Sequence, residues 1–322
     1  MNRFKDGKLV DASQFAEPGD LQVDALLTNI SIGFTIEGYV ADQVLPRVPA
    51  PKETVKVPTF SREGLQIEGN PIKRASKARF ARTGWSVTYT DKTCDEWGIE
   101  IPVDDREIRN AEAVLDPLRV SNDVANQLIA NQIESNVCSE LTDTSNLTSN
   151  ETLSGTDQWS DYTNSNPLTY ITGKRQTIQK AVHRNPNLLV IGQEVFDELM
   201  FHPAISEFYK YTQPGPVTAD MMAQAFGVAR LVVASATYDS QDIGQSTQVG
   251  AYIWGKHALL CYVPTSAEVQ MPALGYQFVN QDRRTFRYRE EDITSEIVRV
   301  SELSLASVTN AASGYLIKNA VA

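Results

Sequence analysis

The stretch from Asp116 to Leu141 constrains this chain more than any other. Asp116 suits a helix N-cap, Pro117 suits the first helical position where a missing amide costs nothing, and no Gly or Pro follows as far as Leu141. The spacing predicts one long helix. Ala125, Ile129, Val137 and Leu141, with Ile133 between them and Val124 and Leu128 alongside, recur at intervals of three and four. They predict one buried stripe. The rest of the circumference, Asn, Gln, Ser and Glu, is expected to be wet or shared with a neighbouring chain.

At 322 residues the chain exceeds what one hydrophobic core usually serves, so two or more sub-domains are expected. A net charge of −11 argues against a nucleic-acid-binding surface spread over the whole molecule, leaving room only for a local basic patch. Cys94, Cys138 and Cys261 form no CxxC pair and offer neither a zinc site nor a disulfide framework, which fits a reducing cytoplasm. The polar start, Met1 to Val10, is no signal peptide, and no segment reaches the roughly 20 apolar residues of a membrane helix. A soluble, non-exported protein is expected.

Residues 1–51 read as an arm. A short amphipathic segment within Leu21 to Phe34 (Val23, Leu26, Leu27, Ile30) precedes an extended run broken by Pro46, Pro49 and Pro51. Such a segment buries little of itself and needs a surface supplied by the main body or another subunit. Residues 52–103 read as an extended two-stranded β-ribbon. Val55, Val57 and Phe60 begin an alternation, Trp85, Val87 and Tyr89 alternate cleanly, and Trp97, Ile99, Ile101 and Val103 form a further run. Between the strands lie Gly64, Gly69 and Gly84 and the basic cluster Lys73, Arg74, Lys77, Arg79 and Arg82. A lone ribbon is marginal in water and its edges invite pairing, so it should rest on something. Three readings of the cluster stay open: a solvated loop face, docking on an acidic patch of a neighbouring subunit, and nucleic-acid binding. Only Phe80 supplies an interleaved aromatic, which weakens the third. Asp104, Asp105 and Glu107, just past the ribbon, are the candidate acidic patch on an adjacent copy.

A short helix over about Asp105 to Leu115 leads into the long one. After Leu141, the run from Thr142 to Asn166 is mostly Ser, Thr, Asn and Asp and reads as a surface hairpin or loop, its two Asn-x-Thr sequons unmodified. From Pro167 the texture changes to helices and short apolar strands. Helices are expected over Leu168 to His183 (capped by Asn166), Gln193 to Met200 and Thr218 to Phe226, with buried strands at Leu188 to Ile191 and Leu231 to Ala234. Strands at Ala251 to Trp254 and Ala258 to Val263 close this unit, and Tyr315 to Ile317 supplies the last strand. Val298 and Val300 alternate in one phase and Leu303 and Leu305 in the other, which predicts a bulge between them. The class is α+β.

Catalytic chemistry finds no footing. His183, His202 and His257 have no metal-ligand spacing, and no nucleophile elbow, P-loop or dinucleotide fingerprint is present. Cys138 and Cys261 sit in apolar settings where a thiol behaves as a small hydrophobe, whereas Cys94 reads as more exposed. No catalytic residue, metal site or cofactor is assigned. Paired carboxylates such as Glu290, Glu291 and Asp292 read as solvated turns.

The order of parts, an arm, a ribbon with an outlying tip, a long helix, an α/β unit and a returning strand, resembles the major capsid proteins of tailed bacteriophages. Asp24 to Ser31, Tyr39 to Pro46, Leu231 to Ala236, Ile253-Trp254-Gly255 and Gly314 to Asn319 strengthen the resemblance, which covers essentially the whole chain. It implies a tailed-phage major capsid fold: N-terminal arm (1–51), extended loop (52–103), peripheral domain (104–173, with the spine helix 116–141), axial domain (174–281) and a return to the peripheral domain (282–322). It also implies hexamers and pentamers that assemble in the host cytoplasm and close into an icosahedral virion shell around double-stranded DNA held without sequence specificity. The arm begins almost at Met1, so a separate scaffolding protein is expected, with a portal and a decoration protein as further partners. Neither the Lys nor the Asn of the covalent cross-link found in some relatives can be matched here. A nanocompartment shell of the same fold and a hydrolase with a mobile ribbon lid are the competing readings.

Overall fold

The computed structural model describes residues 38–60, 74, 76–77, 79–80, 87–111, 116–209, 217–239, 250–264 and 273–322, and the short strands at 3–5, 8–10 and 22–23. Most of the Leu21 to Phe34 segment, the stretch 61–73 and 81–86, and the end of the helix expected before Leu115 lie outside them. In chain order the elements are β1 (Arg3–Lys5), β2 (Lys8–Val10), β3 (Gln22–Val23), α1 (Ala41–Val44), β4 (Arg47–Pro49), β5 (Thr54–Phe60), β6 (Val87–Thr93), β7 (Asp95–Asp104), α2 (Asp105–Asn110), α3 (Pro117–Thr142) and β8 (Asn150–Thr152). Then come α4 (Pro167–Val182), β9 (Leu188–Gly192), α5 (Gln193–Phe201), α6 (Pro203–Tyr209), α7 (Ala219–Phe226), β10 (Arg230–Ala234), β11 (Thr237–Asp239), β12 (Gly250–Tyr252), β13 (Ala258–Cys261), β14 (Gly275–Glu290), β15 (Ser295–Val308) and β16 (Gly314–Lys318). The chain divides into two compact units. One holds residues 1–36, 95–130 and 281–304, the other 37–94, 131–280 and 305–322.

The larger unit is built on a five-stranded sheet in the order β10-β9-β13-β16-β8. The run Leu188 to Ile191 has no polar alternation because both faces of β9 are covered, and all five of its residues are buried. Leu189, Ile191, Leu260 and Ile317 point into one core with Ile171 and Ile178 of α4, Val195 and Leu199 of α5 and Phe226 of α7. Leu188, Val190, Leu259 and Leu316 point the other way, onto Val137 and Leu141 of α3 and onto Val44 and Leu45. Helix caps are those expected: Asn166 accepts from the Thr169 amide at 3.1 Å and Thr218 from the Met221 amide at 3.4 Å. The polar run after Leu141 departs from expectation. Its β8 adds to the sheet edge beside β16, and Leu147, Leu153 and Trp159 are 0, 4 and 1% exposed. Three apolar residues suffice to tie a polar segment to the core. In the same unit β5 and β6 pair antiparallel from Thr54↔Thr93 to Phe60↔Val87, forming the proximal part of the ribbon. At its root, Val48, Val57, Tyr276 and Phe278 make a small third core.

The smaller unit carries a sheet in the order β3-β14-β15-β7. The run Trp97 to Val103 is thus an edge strand on β15. Its ladder is unbroken from Ser295↔Asp104 to Ser304↔Asp95, so the bulge expected between Val300 and Leu303 is absent on this side. Leu303 instead lies on the face opposite Val300, and both are buried. The spine helix starts where Asp116 accepts from the Leu118 amide at 3.1 Å. In this unit it buries Ala125 and Ile129, while Val124 and Leu128 are 44 and 45% exposed, against the expectation that they flank the buried stripe. Their places are taken by Asn122 and Asn126, both fully buried, and Asn122 accepts a hydrogen bond from Thr285 at 3.0 Å.

Candidate functional site

Of the basic cluster, Arg74, Lys77 and Arg79 are described, and all three are exposed. Lys73 and Arg82 lie outside the described residues. Arg74 stacks its guanidinium over Phe80 at 4.3 Å, and that ring is itself 74% exposed. Lys77 adopts φ 64°, a left-handed turn conformation uncommon for a residue with a side chain. None of the three has an ion-pair partner among the described residues.

The candidate acids fare differently from one another. Asp104 caps α2, accepting from the Arg106 amide at 2.7 Å. Asp105 receives a two-pronged grip from Arg289, at 2.9 and 2.8 Å, which holds its carboxyl below the usual carboxylate range. Arg289 also reaches Glu291 at 2.7 Å. Glu107 is exposed and has no ion pair among the described residues. Further acids lie on β7, an edge strand among the described residues, where Asp95, Glu96 and Glu100 are exposed. Glu100 is paired with Arg299, whose guanidinium stacks on Tyr288 at 5.3 Å. Sequence reasoning missed the Asp105–Arg289 and Glu100–Arg299 pairs because their partners lie far apart in the chain.

His202 and the three cysteines sit in buried structural settings. His202, 1% exposed, has its Nδ1 accepting from the Ala204 amide at 3.1 Å and its Nε2 3.1 Å from the Ser165 hydroxyl. With Nδ1 an acceptor, the neutral ring carries its proton on Nε2 and donates it to Ser165, the reverse of what a general base needs. Burial pulls the pKa of His202 down. Cys94 is buried at 6% exposure, not the more open thiol its neighbours suggested. Burial pushes the thiols of Cys138 and Cys261 up to about 12, so both stay protonated. Among the described residues no group of three His, Cys, Asp or Glu could hold a metal ion, and no helix is long and apolar enough to cross a membrane.

One buried polar residue escaped the sequence pattern. Glu134 sits on the covered side of α3 between Ile133 and Val137 and is 1% exposed. Its Oε1 accepts from the Trp254 indole at 2.6 Å and its Oε2 from the Ala41 amide at 2.9 Å, while the Val40 amide lies 3.1 and 3.2 Å from the two oxygens. Burial raises its pKa, and these three donors pull the other way. Its spacing of three and four residues from the buried Val137 and Cys138 was the available signal.

Known proteins share this architecture. The family described as Phage major capsid protein E matches residues 141–263. The major capsid protein of Burkholderia phage BcepMu is 29% identical over 303 residues, covering 92% of this chain and 95% of the relative. That of Pseudomonas phage JBD67 is 28% identical, covering 93% and 97%. Among solved structures, a phage-related protein from Bordetella bronchiseptica RB50 superposes with a TM-score of 0.74 at 21% identity, covering 93% of this chain and 98% of that one. The mature capsid of bacteriophage PhiM1 gives 0.55 at 13% identity, covering 89% and 88%. A virus-like particle from Pyrococcus furiosus gives 0.55 at 15%, covering 86% and 91%. The fold is the α+β fold of phage capsid subunits. In sequence the chain is similar to these phage major capsid proteins along nearly its whole length.

Proposed function

We propose that this chain is the self-assembling structural subunit of an icosahedral phage capsid, forming hexamers and pentamers around double-stranded DNA. The proposal is carried by similarity to two phage major capsid proteins over more than nine-tenths of the chain, joined to a capsid fold. Within the shell, residues 1–51 serve as the arm, 52–103 as the extended loop, 104–173 with 282–322 as the peripheral domain and 174–281 as the axial domain. A scaffolding protein, a portal and a decoration protein are the further partners, and assembly takes place in the host cytoplasm. A cargo-holding nanocompartment shell is the second reading, since the Pyrococcus virus-like particle shares the fold. The phage identity of both sequence relatives favours the first.

The basic cluster is proposed to dock on acids of an adjacent copy. Arg74, Lys77 and Arg79 are exposed, and so are Glu107 and, on the β7 edge, Asp95 and Glu96. Asp104 and Asp105 already have partners in their own unit and contribute less. Sedimentation of the protein co-expressed with its scaffold tests both ideas. Fast-sedimenting particles are expected from the wild type and few from a variant with Lys73, Arg74 and Lys77 reversed to Glu. Normal particles from that variant would refute the docking role, and no particles under any condition would refute the shell.

A further inference from the structure

We propose that Glu134 is a positioning residue that fixes where the extended ribbon leaves its unit. Immediately before the ribbon root stands Gly38 at φ +94°, where a Cβ would lie 2.3 Å from the Ser235 hydroxyl oxygen. That backbone turn belongs to glycine. It delivers Tyr39, Val40 and Ala41 to one face of α3: the Tyr39 hydroxyl bonds to Asn131, and the Val40 and Ala41 amides converge on Glu134 one helical turn on. The Trp254 indole donates to the same carboxyl group.

The segment from Leu45 to Thr54 inherits this placement. Leu45 is fully buried, Pro46 accepts from the Gln277 amide at 3.1 Å, and Arg47–Pro49 pairs in parallel with Gln277–Val279. The ribbon strand begins five residues later, at Thr54. Glu134 is thus a shared acceptor that holds the spine helix, the ribbon root and the Trp254 turn together.

The chemistry of the group matters as well as its place. Both carboxyl oxygens act as acceptors, and among the described residues no cation pairs with them. The other charged and titratable groups near it are the Asp42 carboxylate, which Arg47 holds at 3.0 Å, and the Cys138 thiol. A carboxylate satisfies N–H donors on both oxygens, whereas the amide of Gln would turn an NH₂ toward one of them. Glu134→Gln therefore keeps the volume and removes the fit. The inference rests on the shell reading only in taking the ribbon as the part that reaches neighbours. Its test is made on the unassembled subunit.

Hydrogen exchange read by mass spectrometry on wild type, Glu134→Gln and Trp254→Phe decides it. Protection of the Val40 and Ala41 amides is expected to fall about ten- to hundredfold in Glu134→Gln, the worth of hydrogen bonds to a charged acceptor. Protection across Leu188–Gly192 should stay within about twofold, since loss confined to the root is what positioning means and a merely weakened core would lower both. Unchanged protection at Val40 and Ala41, or an equal fall in both peptides, overturns the proposal. Should Glu134→Gln fail to fold, Trp254→Phe, which removes one donor and keeps an aromatic ring, carries the test, with a severalfold fall at the root expected and no fall refuting it. Failure of this exchange result leaves shell formation untouched, and failure of shells leaves the exchange result standing.

Discussion

Removing one partner of a buried ion pair should hurt this protein far more than removing both. Arg283 on β14 and Glu302 on β15 meet at 3.2 Å with side chains 12 and 0% exposed. Arg283→Met keeps the apolar stem but removes the guanidinium that meets the buried Glu302 carboxylate. Breaking a buried pair from one side costs about 3–5 kcal/mol, whereas an apolar pair of similar volume is often neutral or better. At about 2–4 °C per kcal/mol for a body of this size, Arg283→Met should lower the midpoint of thermal unfolding by roughly 6–20 °C. Arg283→Met with Glu302→Leu should recover most of that loss. Scanning calorimetry on the unassembled subunit reads both variants. A single variant within about 2 °C of wild type, or a double variant no better than the single, would refute the reasoning.

Three more expectations concern particular residues. Gly192→Ala places a Cβ 1.9 Å from the Gly255 carbonyl oxygen, a backbone atom that cannot swing aside, so soluble yield should collapse, and wild-type yield would count against the packing described. Burial depresses the pKa of His202, so the stability its neutral ring contributes is whole above its unfolded value of about 6.5 and is lost as pH falls through the lower folded value. The melting temperature of the wild type should therefore drop on acidification below about 6.5 more steeply than that of His202→Gln, and parallel curves would contradict this. Val124→Ser with Leu128→Ser, on the exposed face of the spine helix, should change the stability of the free subunit by less than about 1 kcal/mol while reducing particle yield, measured by urea titration and sedimentation. Equal yield would show that this face meets nothing in the shell.

Much of the fold was legible where local rules and tertiary packing agree. Asp116 and Pro117 start the spine helix, and the four-residue spacing from Ala125 to Leu141 is its buried line. The unbroken apolar run of β9 announced a strand covered on both faces. Errors arose where composition stood in for contacts. The polar run after Leu141 hid Leu147, Leu153 and Trp159, each a core residue, and Asn122 and Glu134 looked like a wet face because partners are supplied by distant segments. The grip of Arg289 on Asp105 spans 184 positions, so no reading of neighbours could show that this candidate acid is occupied. Exposure of Arg74, Lys77 and Arg79 was foreseeable from a cluster of like charges, whereas the left-handed backbone at Lys77 was not.

Electron microscopy of the protein under assembly conditions tests the proposed shell role most directly. Closed icosahedral particles resolved into hexamers and pentamers, with the ribbon of each subunit lying on its neighbour, are the result expected. A protein that stays monomeric across assembly conditions, its ribbon folded against its own body, would contradict it.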